Sequence, residues 1–259
     1  MQSDIMVHSI YDEIRGGLLS KQLRIYLALI ALPSVTFAQA IDTNRPGFTS
    51  SSTVVARGQW QIETGLDYTR GTDSSRTWSL PVAEFRVGVA NRLEFFLNGI
   101  SWTWQDTGQA DHNGHKDMGA GLKFSLTGGD SLFSTALLGQ LSVPVGDKNF
   151  TSDRWDPTVA FIWASNSDVA VSGMVKISNF KSGYQLDNGL KWAMLIGDSV
   201  TTFIEWEANV PESGDNTHWM NLGCQLLKNS NTQLDINAGI GLTSMSDDYR
   251  LGVGFSHRF

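Results

Sequence analysis

The sequence predicts an all-β protein, an antiparallel transmembrane β-barrel of about twelve strands, on three observations. Apolar and polar residues alternate from Gln59 onward with the period of two that is typical of β-strands. The 259 residues include 26 Gly and 9 Trp, but only 17% are charged. After the N-terminal region there is no uninterrupted apolar run of about 18 residues, the length of a membrane-spanning helix. A chain of this kind would cross a bilayer with strands.

Composition excludes several other classes of protein. Asp and Glu number 26 against 19 Lys and Arg, for a net charge of -7, and this acidic balance argues against a nucleic-acid partner. The single cysteine rules out a disulfide framework and any metal or iron–sulfur site with several cysteine ligands.

Residues 1–40 have the features of a secretory signal with an N-terminal extension. Lys21 and Arg24 precede the apolar run 25–32, and Ala38 and Ala40 supply the small residues that a signal peptidase reads. A membrane anchor or a core helix is the alternative. With cleavage after Ala40, residues 41–58 would form a pre-barrel segment and residues 59–259 the outer-membrane barrel.

The alternation predicts twelve strands in order along the barrel region. They cover residues 59–68, 81–88, 93–98, 117–126, 131–143, 159–163, 169–177, 185–196, 200–210, 220–226, 233–242 and 249–259. Contrast between the two faces is poorest in 131–143. Many of these segments approach the length of about 9–11 residues that a tilted strand needs to cross a bilayer.

The predicted connections alternate between two kinds, as they do in outer-membrane barrels. Short turns rich in Gly, Asn, Asp and Ser are typical of tight hairpins and would be periplasmic: 91–92, 127–130, 165–167, 197–198 and 228–231. Longer connections would be extracellular: 105–116, 144–156, 179–183, 211–217 and 244–248.

Periodicity cannot distinguish a membrane barrel from a soluble secreted β-sandwich or barrel, but three other features favour the membrane. The secretory signal permits an outer-membrane location, and the chain stops within a strand at an aromatic residue. Aromatic side chains also cluster near strand ends, as an interfacial girdle requires: Trp60, Tyr68, Trp102, Trp104, Tyr184, Trp219, Tyr249 and Phe259.

The last strand carries a recognisable pattern. Tyr249, Leu251, Val253, Phe255 and the terminal Phe259 alternate along it, which resembles the C-terminal assembly signal of Gram-negative outer-membrane proteins. His257 departs from the apolar residue expected there. The resemblance implies recognition by the barrel-assembly machinery, with Tyr249, Phe255 and Phe259 as the aromatic positions.

A narrower resemblance covers most of the chain after residue 41. Its motifs are DTNRPGFT at 42–49, GQWQIETG at 58–65, LP at 80–81 followed by FRVGVANRLE at 85–94, DMGAGLK at 117–123, and LSVPVG at 141–146. In this order they are similar to the transporter-like outer-membrane family labelled for the meta pathway of phenol degradation. The resemblance implies passage of small, often aromatic compounds across the outer membrane and leaves the solute undefined.

Charged residues on the polar parity are the candidate lining of the lumen. They are Glu63, Asp67, Glu84, Arg86, Asp117, Lys123, Lys176, Asp187, Lys191, Glu205, Glu207, Asp235, Arg250 and Arg258. Because both signs occur, the lining predicts a polar path whose field depends on local charge. The alternative is that these charges pair across the lumen and hold the barrel rigid. We also hypothesise that residues 41–58, with Asp42 and Arg45, fold into the periplasmic mouth and pair with lumenal charges.

Catalytic and metal sites are weakly indicated. A lipid-face hydrolase would need Ser, His and a polar orienting residue together near the outer rim, and His218 has no such motif around it. Asp111, His112, His115 and Asp117 have suitable types for a metal site, but a solvated loop is the simpler interpretation. Cys224 is most simply a small apolar residue, and no cofactor is implied.

The predicted function is a passive outer-membrane channel for small molecules, including aromatic or hydrophobic ones. Its predicted partners are outer-membrane lipid, the assembly machinery and a small solute. The alternative is a closed-lumen barrel with a structural or adhesive role or a lipid-face hydrolase activity.

Overall fold

The computed structural model describes residues 40–127, 131–165, 167, 169–180 and 182–259. The predicted signal therefore lies outside the described residues, apart from Ala40. None of the described residues form a helix long and apolar enough to cross a membrane.

The described residues form thirteen antiparallel strands. Their bounds are β1 Trp60–Arg70, β2 Arg76–Ala90, β3 Leu93–Asp106, β4 Asp111–His115, β5 Met118–Ser125, β6 Phe133–Val143, β7 Asp156–Ser165, β8 Val169–Phe180, β9 Gly183–Ile196, β10 Val200–Pro211, β11 Thr217–Asn229, β12 Thr232–Gly241 and β13 Tyr249–Arg258. Twelve of them, all but β4, follow one another round a single sheet.

The sheet closes because the first strand pairs with the last. The register runs from Gln61 opposite Arg258 to Arg70 opposite Tyr249. Beside this seam, the Phe259 ring stacks on the Trp60 ring with centroids 3.7 Å apart. In lipid a free strand edge would leave backbone groups without partners at a cost of several kcal/mol each. Closure removes that cost, and the predicted twelve-stranded barrel is confirmed.

The two faces of the barrel wall have inverted polarity compared with a soluble protein. Leu122, Trp192 and Ile236 are 50%, 42% and 58% exposed on the outer face, whereas the adjacent Lys123 is fully buried. An apolar outer face and charged inner face are the arrangement that a hydrocarbon environment selects.

Three local predictions are wrong. The predicted loop 105–116 contains β4, which pairs with β3 from Trp102 to Asp106 because β3 extends beyond the end of its β5 partner. The predicted long connection 179–183 is short, because β8 ends at Phe180, which pairs with Gly183 at the start of β9. Trp219 belongs to no outer girdle: it is 6% exposed, with the Arg250 guanidinium 4.5 Å from its ring centroid.

Candidate functional site

Residues 41–58, here called the inner segment, lie within the barrel. The backbone amide of Asn44 donates to Glu63 of β1, that of Val55 to Glu94 of β3, and that of Thr49 to Glu205 of β10. β1 and β3 flank β2, whereas β10 lies on a distant part of the closed sheet. A segment that contacts the inward faces of all three must cross the lumen.

Inward carboxylates bind the amides of the inner segment. Glu205 accepts the amides of Phe48 and Thr49, both at 2.8 Å, and Glu63 accepts those of Asn44 and Arg45 at 3.1 and 2.9 Å. Such bonds to an ionised acceptor are about twice as strong as neutral ones. They satisfy donors that a short irregular segment cannot satisfy by itself.

Inward cations bind the carbonyls of the same segment. Lys191 donates to the carbonyls of Pro46 and Thr49 at 3.2 Å, Lys123 to that of Ser51 at 3.1 Å, and Arg86 to that of Asp42 at 3.0 Å. The wall therefore supplies both donors and acceptors to the segment's backbone.

Four wall residues form a charged cluster: Glu63, Arg86, Glu94 and Lys123. Arg86 pairs with Glu63 at 2.8 Å and with Glu94 at 2.9 Å, and Lys123 pairs with Glu94 at 3.3 Å. All four side chains are fully buried. This cluster anchors the inner segment and offers no open surface to a passing solute.

The other predicted lumenal charges lie in smaller groups. Lys176 pairs with Asp187 at 3.1 Å, Lys191 with Glu205 at 3.5 Å, and Arg250 with Glu207.

Three predicted residues, on β1, β2 and β12, contact the inner segment near the seam. Arg45 of that segment lies 3.2 Å from Asp67 and 3.6 Å from Asp235. Glu84, on β2, accepts the Asn44 side-chain amide at 3.0 Å.

Asp117 and Arg258 lie apart from these groups. Asp117 precedes β5 and accepts the amides of Gly146 and Ser152 at 2.9 and 2.7 Å, so it anchors the connection 144–155. Burial opposes ionisation of this carboxyl, but the two amides and the Thr151 and Ser152 hydroxyls together outweigh it and lower its pKa. Arg258 donates to Asn231 at 2.8 Å in the turn between β11 and β12.

Sequence reasoning did not select several residues that hold the inner segment. Glu94 carries the centre of the charged cluster, and Gln61 donates to Glu63 and to the Asp42 carbonyl at 2.8 and 3.0 Å. Gln233 donates to Thr43 at 2.8 Å. All three have the polar parity of their strands, so parity alone could have found them.

Cavities remain beside the inner segment, and among the described residues Gly47 and Phe48 line two of them. The β1–β3 cavity, of about 390 Å³, is lined by Asp67, Thr77, Ser79 and Ser101 among others. The β6–β8 cavity, of about 380 Å³, is lined by Leu138, Thr158, Met174 and Ser178 among others. The lining of each cavity also includes strand residues near the end of the barrel that lies opposite the chain termini.

The inner face of β6–β8 carries an apolar patch among its polar residues. Ala160, Ile162 and Met174 form a buried cluster against which Leu138 and Phe48 pack. We call Leu138, Ala160, Ile162 and Met174 the apolar sector.

His112 and His115 of β4 do not converge with other ligand types into a metal site. His112 Nδ1 lies 3.1 Å from the Asn149 amide, while Asp117 accepts the loop amides described above. Within the part of the chain that the structure describes, no three His, Cys, Asp or Glu side chains converge as a metal site requires.

A comparison with protein-family models shows the family of this chain. A family model described as "Putative MetA-pathway of phenol degradation" matches residues 43–259. The chain belongs to this family. The match begins within the inner segment, so the segment and the barrel belong to one family unit. The comparison with curated proteins found no match.

Solved structures show the same fold at low sequence identity. The COG4313 outer membrane channel from Pseudomonas putida F1 is 13% identical, with a TM-score of 0.67 over 83% of this chain and 100% of that one. The NanC porin is 11% identical, with a TM-score of 0.51 over 76% of this chain and 98% of that one. With its apolar outer face, a closed barrel of this fold is a protein of the bacterial outer membrane.

Proposed function

We propose that this chain is a passive outer-membrane channel for small molecules, whose inner segment forms the constriction. The observation that carries the proposal is the pair of cavities beside Phe48, inside a closed barrel with an apolar outer surface. The family description supports aromatic compounds among the solutes. Diffusion through the lumen needs no catalytic group and no cofactor.

The inner segment determines how wide the path is. It binds the wall near the ends of the strands closest to the termini, for example at Glu94 and Lys123. Only hydrogen bonds, ion pairs and packing hold it there. A solute therefore passes when the segment shifts, and the extent of that shift limits conductance.

Planar-bilayer recording tests the proposal. We expect small or intermittent currents from the intact chain, and currents several times larger from a variant lacking residues 41–58. A variant lacking residues 242–246, in the connection between β12 and β13, is the matched control and should conduct like the intact chain. Unchanged conductance after removal of residues 41–58 would exclude the segment as the constriction.

A closed-lumen barrel with a structural or adhesive role is the second candidate, because the inner segment fills part of the lumen. Absence of current from both the intact chain and the variant lacking residues 41–58 would favour this role over a channel.

We propose no enzyme activity. His218 lies on the outer face with its ring 5.7 Å from that of Trp206, and the Ser246 hydroxyl bonds to the backbone of His218. Neither contact prepares a nucleophile, which would need the serine hydroxyl against the imidazole. Release of fatty acid from phospholipid vesicles by the purified protein, abolished by His218→Ala, would overturn this part of the proposal.

We also propose that the assembly machinery recognises the last strand through Tyr249, Phe255 and Phe259. The Phe259 amide donates to the Trp60 carbonyl at 2.8 Å, so the residue that would be recognised also completes the seam. Phe259→Ser should lower the amount of barrel in outer membranes, whereas Phe124→Ser, on the outer face of β5, should lower it less. Equal amounts from both variants would count against recognition through Phe259.

A further inference from the structure

An apolar groove crosses the outer face of β10–β13 and β1. It lies where three neighbouring strands carry small outward side chains, Thr202, Cys224 and Ala238. Larger apolar side chains, among them Leu222 and Ile236, line it as well. Its volume of about 600 Å³ falls within the range of small-molecule sites. On the membrane face of a barrel, this groove has the size and composition to hold an acyl chain.

Aromatic rings mark the end of the groove that lies away from the chain termini. Tyr68 of β1 and Trp78 of β2 both line the groove, and their ring centroids are 4.4 Å apart. The Tyr249 ring of β13 lies beside that of Tyr68, with centroids 5.9 Å apart. Amphipathic rings of this kind lie at the level of the lipid headgroups. This end of the groove is therefore at the membrane surface.

Two arginines follow the aromatic rings on the same face. Arg70 and Arg76 are direct partners in the register of β1 and β2, two positions beyond Tyr68 and Trp78, which are also partners. Because side chains alternate across a strand, both arginines extend from the outer face. The step from Tyr68 to Arg70 is about 7 Å along the strand. Like charges at directly opposite positions repel each other and destabilise the sheet.

The nearby carboxylates do not pair with these arginines. In the part of the chain that the structure describes, neither guanidinium forms an ion pair or donates a hydrogen bond. Asp106 lies opposite Arg76 in the register of β2 and β3, but it accepts the amide of Gly108 at 2.7 Å. Asp73, in the turn between β1 and β2, accepts the amide of Ser75 at 2.9 Å. The two guanidinium groups are therefore available to an external anion.

We infer that the groove and the two arginines form one binding site for a phosphorylated lipid of the outer leaflet. An acyl chain lies in the groove, and a phosphate lies between Arg70 and Arg76. An arginine binds a phosphate through two parallel hydrogen bonds, and a phosphate between two arginines removes their mutual repulsion. A single amphiphile reaches both parts of the site, whereas a free phosphate or a hydrocarbon reaches only one. The site lies outside the lumen and goes beyond the proposed channel function.

Native mass spectrometry of the intact chain in an uncharged detergent tests the site, with diphosphorylated lipid A as the probe. We expect one lipid A molecule to bind saturably. Diacylglycerol, which has acyl chains but no phosphate, should bind more weakly, and inorganic phosphate should not displace lipid A. Arg70→Gln and Arg76→Gln should each weaken lipid A binding about tenfold, the effect of one lost hydrogen bond to a charged group.

Arg92→Gln is the matched control for charge. Arg92 is also exposed, but it lies in the turn between β2 and β3, at the opposite end of the barrel. Its substitution should leave lipid A binding unchanged.

A bulkier side chain in the groove tests the acyl part of the site. Ala238→Phe should fill the groove and weaken lipid A binding, because the acyl chain loses its place. Ala120→Phe, on the outer face of β5 and outside the groove, is its control and should leave binding unchanged.

Four results would overturn the site: no saturable lipid A binding, equal losses in Arg70→Gln and Arg92→Gln, equal losses in Ala238→Phe and Ala120→Phe, or diacylglycerol binding as tight as that of lipid A. Displacement of lipid A by inorganic phosphate would show an anion site without a lipid and would overturn it too. Bilayer recording separates this site from the channel, because Arg70→Gln should conduct like the intact chain. Loss of lipid binding with unchanged conductance therefore leaves the channel proposal intact.

Discussion

The charged cluster and the apolar sector are two regions of one inner wall with opposite chemistry. In the charged cluster, Arg86 and Glu94 are fully buried and hold the inner segment through its backbone. In the apolar sector, Ala160, Ile162 and Met174 meet the segment only through packing with Phe48. The comparison shows that the charged cluster holds the segment by hydrogen bonds to its backbone, whereas the apolar sector holds it by packing against one side chain.

Removing a cation from the charged cluster should have the largest effect. Arg86→Met leaves Glu63 and Glu94 buried without their arginine partner, which destabilises a protein by about 3–5 kcal/mol. Urea unfolding of the reconstituted barrel measures the change. Lys176→Met, beside the apolar sector, should cost less, because the Lys176 side chain is partly exposed and the Asp187 carboxylate keeps its hydrogen bonds from Gln185 and Asn209. Equal losses would mean that the two regions do not differ as described.

The next largest effect should follow from weakening the grip on the inner segment. Glu205→Gln removes the ionised acceptor of the Phe48 and Thr49 amides, and hydrogen bonds to charged groups contribute about 1.5–3 kcal/mol. The fraction of time that the channel spends in its large-conductance state should rise about tenfold to hundredfold. Single-channel recording measures it.

Glu207→Gln is the control for that measurement. Glu207 lies on the same strand and inner face, but it pairs with Arg250 and contacts Asn221. Its substitution should change the open fraction little. A larger change than that of Glu205→Gln would contradict the assigned role of Glu205.

A smaller effect should distinguish packing in the apolar sector from contact with lipid. Ile162 is fully buried on the inner face, and Ile177 is 52% exposed on the outer face. Ile162→Val should cost about 1 kcal/mol of unfolding free energy, whereas lipid can refill the space left by Ile177→Val, which should cost close to nothing. If urea unfolding showed a larger loss of stability for Ile177→Val than for Ile162→Val, the apolar sector would not be packed as described.

The smallest effect should come from Asp117, which lies outside both regions. Its lowered pKa means that the ionised carboxyl is favoured in the folded state. The anchoring of residues 144–155 is therefore fully present above the ordinary pKa of 3.8 and is lost as pH falls through the lower folded value. Protease cleavage within this connection should stay slow from pH 7 to pH 4 and should speed up in Asp117→Asn at pH 7. Fast cleavage of the connection already at pH 5 would be inconsistent with its anchoring by Asp117.

Much of this architecture follows from sequence alternation, and the exceptions have physical causes. A strand that faces lipid on one side and charged groups on the other alternates clearly between apolar and polar residues, as Met118–Ser125 does. In β6 the contrast is poor because the inward Ala136 and Leu138 are apolar too. Parity assigns faces but not depth or partners, so it could not distinguish the buried Glu94 from the loop anchor Asp117. The contacts of residues 41–58 depend on folding of the whole barrel and have no local signal.

The inner segment runs directly into β1, which starts at Trp60. When the inner segment leaves Glu205 or Glu63, its link to β1 therefore keeps it at the same end of the barrel. Short tethers of this kind keep a group at an effective concentration in about the millimolar range. Reinsertion is then a first-order event, independent of how many copies the membrane contains, and each barrel reseals itself without a soluble partner.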